Sequence, residues 1–216
     1  MPAARPASSP SPSTDPTTAD PGATKFGEVV EASVDSVVGQ CHTLYDAPPL
    51  GTLVRVGGSL FAVVDGVNTA ALDPGRRVIA RGAELASESD VYAENPQLER
   101  LLRTDVTLTV VGHEDGGRYF QHLPPLPPRI HTFLYACSGS EVRGFMERSD
   151  WTALVLSSAL PTADDVLAAA LREAAPHFDD SRAFLMQACR AIASQLPTDA
   201  ARLAAIMRRL PLSEDA

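Results

Sequence analysis

Residues Gly51–Arg81 read GTLVRVGGSLFAVVDGVNTAALDPGRRVIAR. Two apolar runs, around Leu53–Val56 and Leu60–Val64, are separated by Gly57-Gly58-Ser59, and the stretch turns again at Asp73-Pro74-Gly75. Glycine takes positive φ at little cost, so the two-glycine connector suits a tight hairpin. Within the second run Leu60, Ala62 and Val64 alternate with Phe61 and Val63, which makes the strand apolar on both pleat faces. Such a strand is covered on both sides. The expected architecture is a small closed β-barrel with further structure packed against its outside. No arrangement of catalytic groups accompanies these runs.

Working outward, Phe26–Ser33 (FGEVVEAS) and Val37–Leu44 (VVGQCHTL) are rich in Val and Thr and read as two strands joined near Asp35-Ser36. Asp46–Pro49 forms a rigid corner before the central stretch. Asn95-Pro96 predicts a helix over about 95–103, with Asn95 as N-cap, Pro96 in the first helical position and Leu98, Leu101 and Leu102 on one face. Thr104–Gly112 returns to a strand pattern, Gly116-Gly117 turns the chain into Arg118–Leu123, and Ile130–Cys137 is a further strand. Between them lies LPPLPPR (Leu123–Arg129), extended by its proline content. Ser138-Gly-Ser-Glu141 has the form of a capping box ahead of a short helix, and Asp150 is a candidate cap for another beginning at Trp151.

From Thr162 the period becomes helical. Val166, Leu167, Ala170 and Leu171 make one stripe; Phe184, Leu185, Ala188, Cys189 and Ile192 a second; Leu203, Ile206, Met207 and Leu210 a third. Residues 1–24 are Pro, Ser, Thr and Ala with almost no large apolar side chain, the composition of a disordered tail. The organisation is therefore α+β: a tail over 1–24, a barrel over 25–137 with an inserted helix near 95–103, a helical connector over 138–160, and C-terminal helices over 161–212.

The chain has 216 residues and a formal net charge of −9, and no large segment of it is basic overall. That argues against a dedicated, sequence-independent nucleic-acid binder, whose affinity comes mainly from phosphate neutralisation. Cys41, Cys137 and Cys189 are far apart with no CxxC pair, as expected of reduced thiols in a cytoplasmic protein. Neither a signal-peptide core nor a membrane-length apolar run is present.

A P-loop needs a Gly-rich backbone and a Lys-Ser/Thr pair, and the single lysine, Lys25 in Ala-Thr-Lys-Phe, fits none. GxGxxG and GxSxG are also missing, so no cofactor is expected. His113, His122 and His131, with Glu114 and Asp115 adjacent, are the candidate metal ligands, and a metal-assisted hydrolase is the enzymatic alternative they define. Cys41-His42 is a poor nucleophile pair, because strand neighbours point to opposite faces. Pro124, Pro127 and Arg129 match PxxPxR, the shape read by SH3-type grooves, although a stiff connector explains them as well. Arg76, Arg77 and Arg81 make the basic cluster, a candidate contact for a protein partner or, in a nucleic-acid-binding barrel, for phosphate.

Gly27–Ser33 (GEVVEAS), Ala47–Val56 (APPLGTLVRV), Phe61–Arg77 (FAVVDGVNTAALDPGRR) and Pro127–Tyr135 (PPRIHTFLY) together resemble the HAS-barrel proteins, a barrel found at the N-termini of HerA-type DNA-translocating ATPases and F-type ATP synthase subunits. The resemblance spans about Phe26 to Cys137, and the helical tail is similar to that of stand-alone bacterial members. In that family the barrel sits beside an ATPase domain and helps hold a ring together; here short helices follow it instead. The resemblance thus implies a non-enzymatic assembly or adaptor module, partnered by itself or by a separate ATPase subunit, with Arg76, Arg77, Arg81, Pro124, Pro127 and Arg129 as candidate contacts.

Overall fold

The computed structural model describes residues 22–212, so most of the tail expected over 1–24 lies outside the described residues. The chain is mixed α+β, with its helices mostly C-terminal. Seven strands are β1 (Thr24–Ala32), β2 (Ser36–Cys41), β3 (Leu53–Val56), β4 (Leu60–Ala71), β5 (Leu102–Asp115), β6 (Arg118–Phe120) and β7 (Phe133–Ala136). Every pairing is antiparallel, in the order β2-β1-β7-β3-β4-β5-β6, and β2 also pairs with β5. The run of neighbours from β2 through β1, β7, β3, β4 and β5 therefore returns to β2, with β6 as a short flap on β5.

Register shifts help the ladder bend. Opposite β4, Val111 is an extra residue between the Phe61–Gly112 and Ala62–Val110 pairs, and Asp65 is an extra residue on β4 between Val64 and Gly66. Bulges of this kind sharpen local twist. Asp65 uses the displacement to take hydroxyl hydrogen bonds from Thr107 and, at 2.6 Å, Thr109.

The alternation seen in the central stretch divides cleanly between two apolar clusters. Leu60, Ala62 and Val64 join Phe26, Val29, Val37, Cys41, Val54, Val106, Leu108, Val110 and Leu134 in one. Phe61 and Val63, with Leu53 and Val111, belong to the other, which includes side chains from the C-terminal helices. Val64 is wholly buried among the strands. Val64→Ala is expected to lower unfolding free energy by about 1–3 kcal/mol, read as a shifted urea midpoint with unchanged slope; an unmoved midpoint would contradict a central position for β4.

The helices are α1 (Glu88–Glu94), α2 (Leu98–Leu101), α3 (Gly139–Met146), α4 (Thr152–Ser157), α5 (Ala163–Ala174), α6 (Ser181–Gln195) and α7 (Ala200–Met207). The helix expected over 95–103 forms only in part, as the four-residue α2 (Leu98–Leu101), and Asn95 does not start it. Ser87 and Asp90 make a capping box that starts α1 earlier, and Asn95 becomes its C-cap, its backbone N–H and its side-chain amide both donating to the Val91 carbonyl. Leu102 and Arg103 are drawn instead into β5, where β4 offers pairing partners as far as Ala71. Asp150 does not cap α4, because its carboxylate is held by Arg148; Trp151 occupies the cap position without a side-chain bond.

The capping box at Ser138 and Glu141 forms as the sequence indicates. The apolar stripe of α5 and that of α6 are buried along their length. The stretch 138–160 is more than a connector. Val142, Phe145 and Met146 of α3, Trp151, and Val155 of α4 share one core with α5, α6 and the outer face of the sheet. Gln121 fixes its geometry, its amide donating to the carbonyls of Phe145 (2.5 Å) and Arg148 (3.1 Å) while its oxygen accepts from the Trp151 N–H at 3.1 Å. Gly51 is where α5 touches the sheet: its φ is +90°, and a Cβ there would lie 2.4 Å from the α5 backbone. None of the described helices is long and apolar enough to cross a membrane.

Candidate functional site

The long β4–β5 ladder has two ends, and the chemistry singled out in the sequence collects at them. Leu60 pairs with His113 at one end; Ala71 pairs with Leu102 at the other. At the first end the hairpin Gly57–Ser59, the last residues of β5 and the proline-rich segment enclose an open groove of about 410 Å³. The hairpin closes because Gly57 takes φ +62°, in the region glycine tolerates. Pro124 and Pro127 both line this groove, so the proline motif forms a wall of the molecule itself. Leu126, between them, is 74 % exposed, and Arg129 is exposed.

The three histidines are not brought together. His113 stacks on Phe120 with ring centroids 5.4 Å apart, and His122 meets it edge-on at 5.0 Å. His131 lies apart, 3.2 Å from the Glu28 carboxylate, with the backbone at φ +67°. Turn Gly116-Gly117 folds β6 onto β5 and so returns His122 to His113, whereas His131 follows the proline segment onto β1, where its N–H donates to the Val29 carbonyl. Among the described residues no group of three or more His, Cys, Asp or Glu side chains is placed to hold a metal. The three side chains thus lie in two places in the fold, His113 with His122 and His131 with Glu28.

At the second end every residue from Leu72 to Glu84 is exposed, Ile79 at 70 % and Val78 at 57 %. Asp73 stabilises the turn by accepting from the Gly75 N–H at 2.9 Å. Arg76 and Arg77 make no ion pair among the described residues, and Arg81 donates only to the Asn95 side chain, at 3.2 Å. Glu114 and Asp115, at the groove end, are likewise without an ion pair. The sequence pointed to these two acids only as neighbours of His113; their place at the end opposite the arginines follows from the register.

Two further features were not legible beforehand. Arg55 projects from the outer face of β3, 4 % exposed, with Nε 2.7 Å from Glu141 Oε1, Nη1 donating to the Gly57 carbonyl at 2.9 Å, and its guanidinium over the Tyr135 ring. The other Glu141 oxygen accepts from the Ser138 N–H at 2.8 Å. One carboxylate thus caps α3 and pins it to the sheet. Near the second end, Tyr45 (φ +66°) and Tyr92 share a hydroxyl hydrogen bond, which with partial burial pushes the Tyr92 phenol up to about 12.

Cys41 and Cys189 are buried thiols, and Cys137 is half-buried. Cys41 lies among the strands, where burial first, then the nearby Asp46 and Asp105 charges, push its thiol up to about 11. Burial also raises Cys189. Thiolate is the reactive form, so at pH 8 both should alkylate far more slowly than a free thiol, with half-buried Cys137 labelled first; mass spectrometry after timed iodoacetamide treatment reads the order. Because the Cys41 pKa is raised on folding, its contribution is whole below about pH 9 and is lost as pH rises toward 11. Early labelling of Cys41 would contradict its burial.

Compared with known proteins, the chain matches no family model and no curated sequence.

Proposed function

We propose that this chain is a non-enzymatic assembly module built on a small closed barrel of the HAS-barrel kind, acting with copies of itself or with a separate HerA-like ATPase subunit. The circuit of pairings from β2 round to β5 and back supports the barrel, and the resemblance of Gly27–Ser33, Ala47–Val56, Phe61–Arg77 and Pro127–Tyr135 supports the kind.

One observation carries the assembly reading. With both cores filled, large apolar side chains remain exposed beyond the two ends of the β4–β5 ladder, Leu72, Val78 and Ile79 at one and Leu126 in the groove wall at the other. Apolar surface gathered on loops beside unpaired charge marks a protein contact. The barrel interior is filled by side chains, so this architecture offers its ends and outer face rather than an internal site. Cytoplasmic placement fits the cysteine pattern and belongs to the same proposal.

Capture of the tagged full chain from its native cell tests the reading. Recovery of untagged copies, or of an ATPase subunit in fixed ratio, is the expected result. A bait that returns alone, from a protein that is also monomeric when purified, would overturn it.

A further inference from the structure

We infer that the Arg76–Arg81 segment of one copy docks into the groove between the Gly57–Ser59 hairpin and the proline-rich segment of a second copy, head to tail. This rests on the assembly reading and names its surface. The donor segment presents Arg76, Arg77 and Arg81 around Val78 and Ile79, all exposed. The acceptor groove presents Glu114 and Asp115 beside Leu126 and the Pro124–Pro128 wall. Basic and apolar face acidic and apolar, and neither set of charges has an ion-pair partner within its own chain among the described residues.

The two halves cannot meet inside one molecule. They flank opposite ends of β4, and eleven strand steps between Leu60 and Ala71 separate them by roughly 35 Å. Complementary surfaces at opposite ends make a heterologous contact, which closes into a ring or extends as a filament. Arg118, paired in register with Asp115, lies over the Phe120 ring and makes no ion pair with that acid, and exposed Arg129 follows Pro128 of the wall; both weaken the acceptor's negative field, but the acids line the groove and the two arginines do not. A contact steered by exposed charges weakens as salt rises.

A charge swap on the full chain tests the proposal. Arg76→Glu with Arg77→Glu, and separately Glu114→Arg with Asp115→Arg, should each weaken self-association at least ten-fold by light scattering, with unchanged circular dichroism. Mixing the two variants in equal amounts should restore association, because each reversed donor then meets a reversed acceptor. Should either reversed variant misfold, Ile79→Asp and Leu126→Asp probe the same contact through its apolar half and should weaken association too. Wild-type mass retained in the reversed or apolar variants, or no restoration on mixing, would overturn this surface while leaving assembly intact. A wild-type chain that is monomeric yet binds an ATPase would overturn self-docking alone, and one that is monomeric and binds nothing would overturn both.

Discussion

Replacing Glu141 by alanine is expected to cost about 3–5 kcal/mol of unfolding free energy, the range for removing one partner of a buried ion pair. The cost comes from Arg55. Its side chain is 4 % exposed, and Nη2 already has no hydrogen-bond partner among the described residues, so loss of the carboxylate leaves a buried cation facing only the Gly57 carbonyl and the Tyr135 ring. Half of the α3 capping box is lost in the same step, because the Glu141 carboxylate accepts from the Ser138 N–H, while the bond from the backbone N–H of residue 141 to Ser138 Oγ remains. Glu141→Gln separates the two: glutamine can keep the cap, so the stability it fails to recover belongs to the charge. Arg55→Met with Glu141→Leu should recover much of the loss, since a well-packed apolar pair needs no desolvation. Urea denaturation reads all three. A Glu141→Ala change below about 0.5 kcal/mol would place the pair with exposed salt bridges and contradict its burial.

Phe61→Ala is the second large effect, again about 3–5 kcal/mol. Phe61 is fully buried on the outward face of β4, stacked on Phe145 of α3 at 4.8 Å and met edge-on by Tyr119 at 5.4 Å. It joins the sheet to the helices, so its removal should also uncouple them. Amide exchange in α3 should accelerate more than in β2, whose Val37 packs in the other cluster. Equal acceleration throughout would mean that the two cores unfold as one.

What was legible in the sequence followed from local chemistry. The double alternation of Leu60–Val64 demanded cover on both faces, and both faces are covered. The stripes of α5 and α6 and the capping box of α3 depend on residues within a few positions of one another, and each is where the pattern put it. Asn95 failed for a local reason too: an Asn before Pro reads as a helix start, but Ser87 and Asp90 already supply one, and the same side chain serves equally well to close a helix. Long-range pairings carry no such signal. Glu141 reads as a cap, while its hold on Arg55 depends on the fold bringing together residues 86 positions apart. The equal nine-residue spacings of the histidines fix no geometry: one interval spans a tight turn and the other a proline-rich detour, so two rings meet and the third does not. Nor did anything local place Glu114 and Asp115 opposite Arg76 and Arg77; only the length of the β4–β5 ladder does that.

Assembly through the ends of that ladder is the central claim, and the molar mass of the purified full-length chain tests it most directly. Light scattering over a range of protein concentrations at low salt should give a mass above the 22.9 kDa monomer that rises with concentration and falls back as salt is added. A mass of 22.9 kDa at every concentration and salt, with no ATPase or other protein bound, would contradict it.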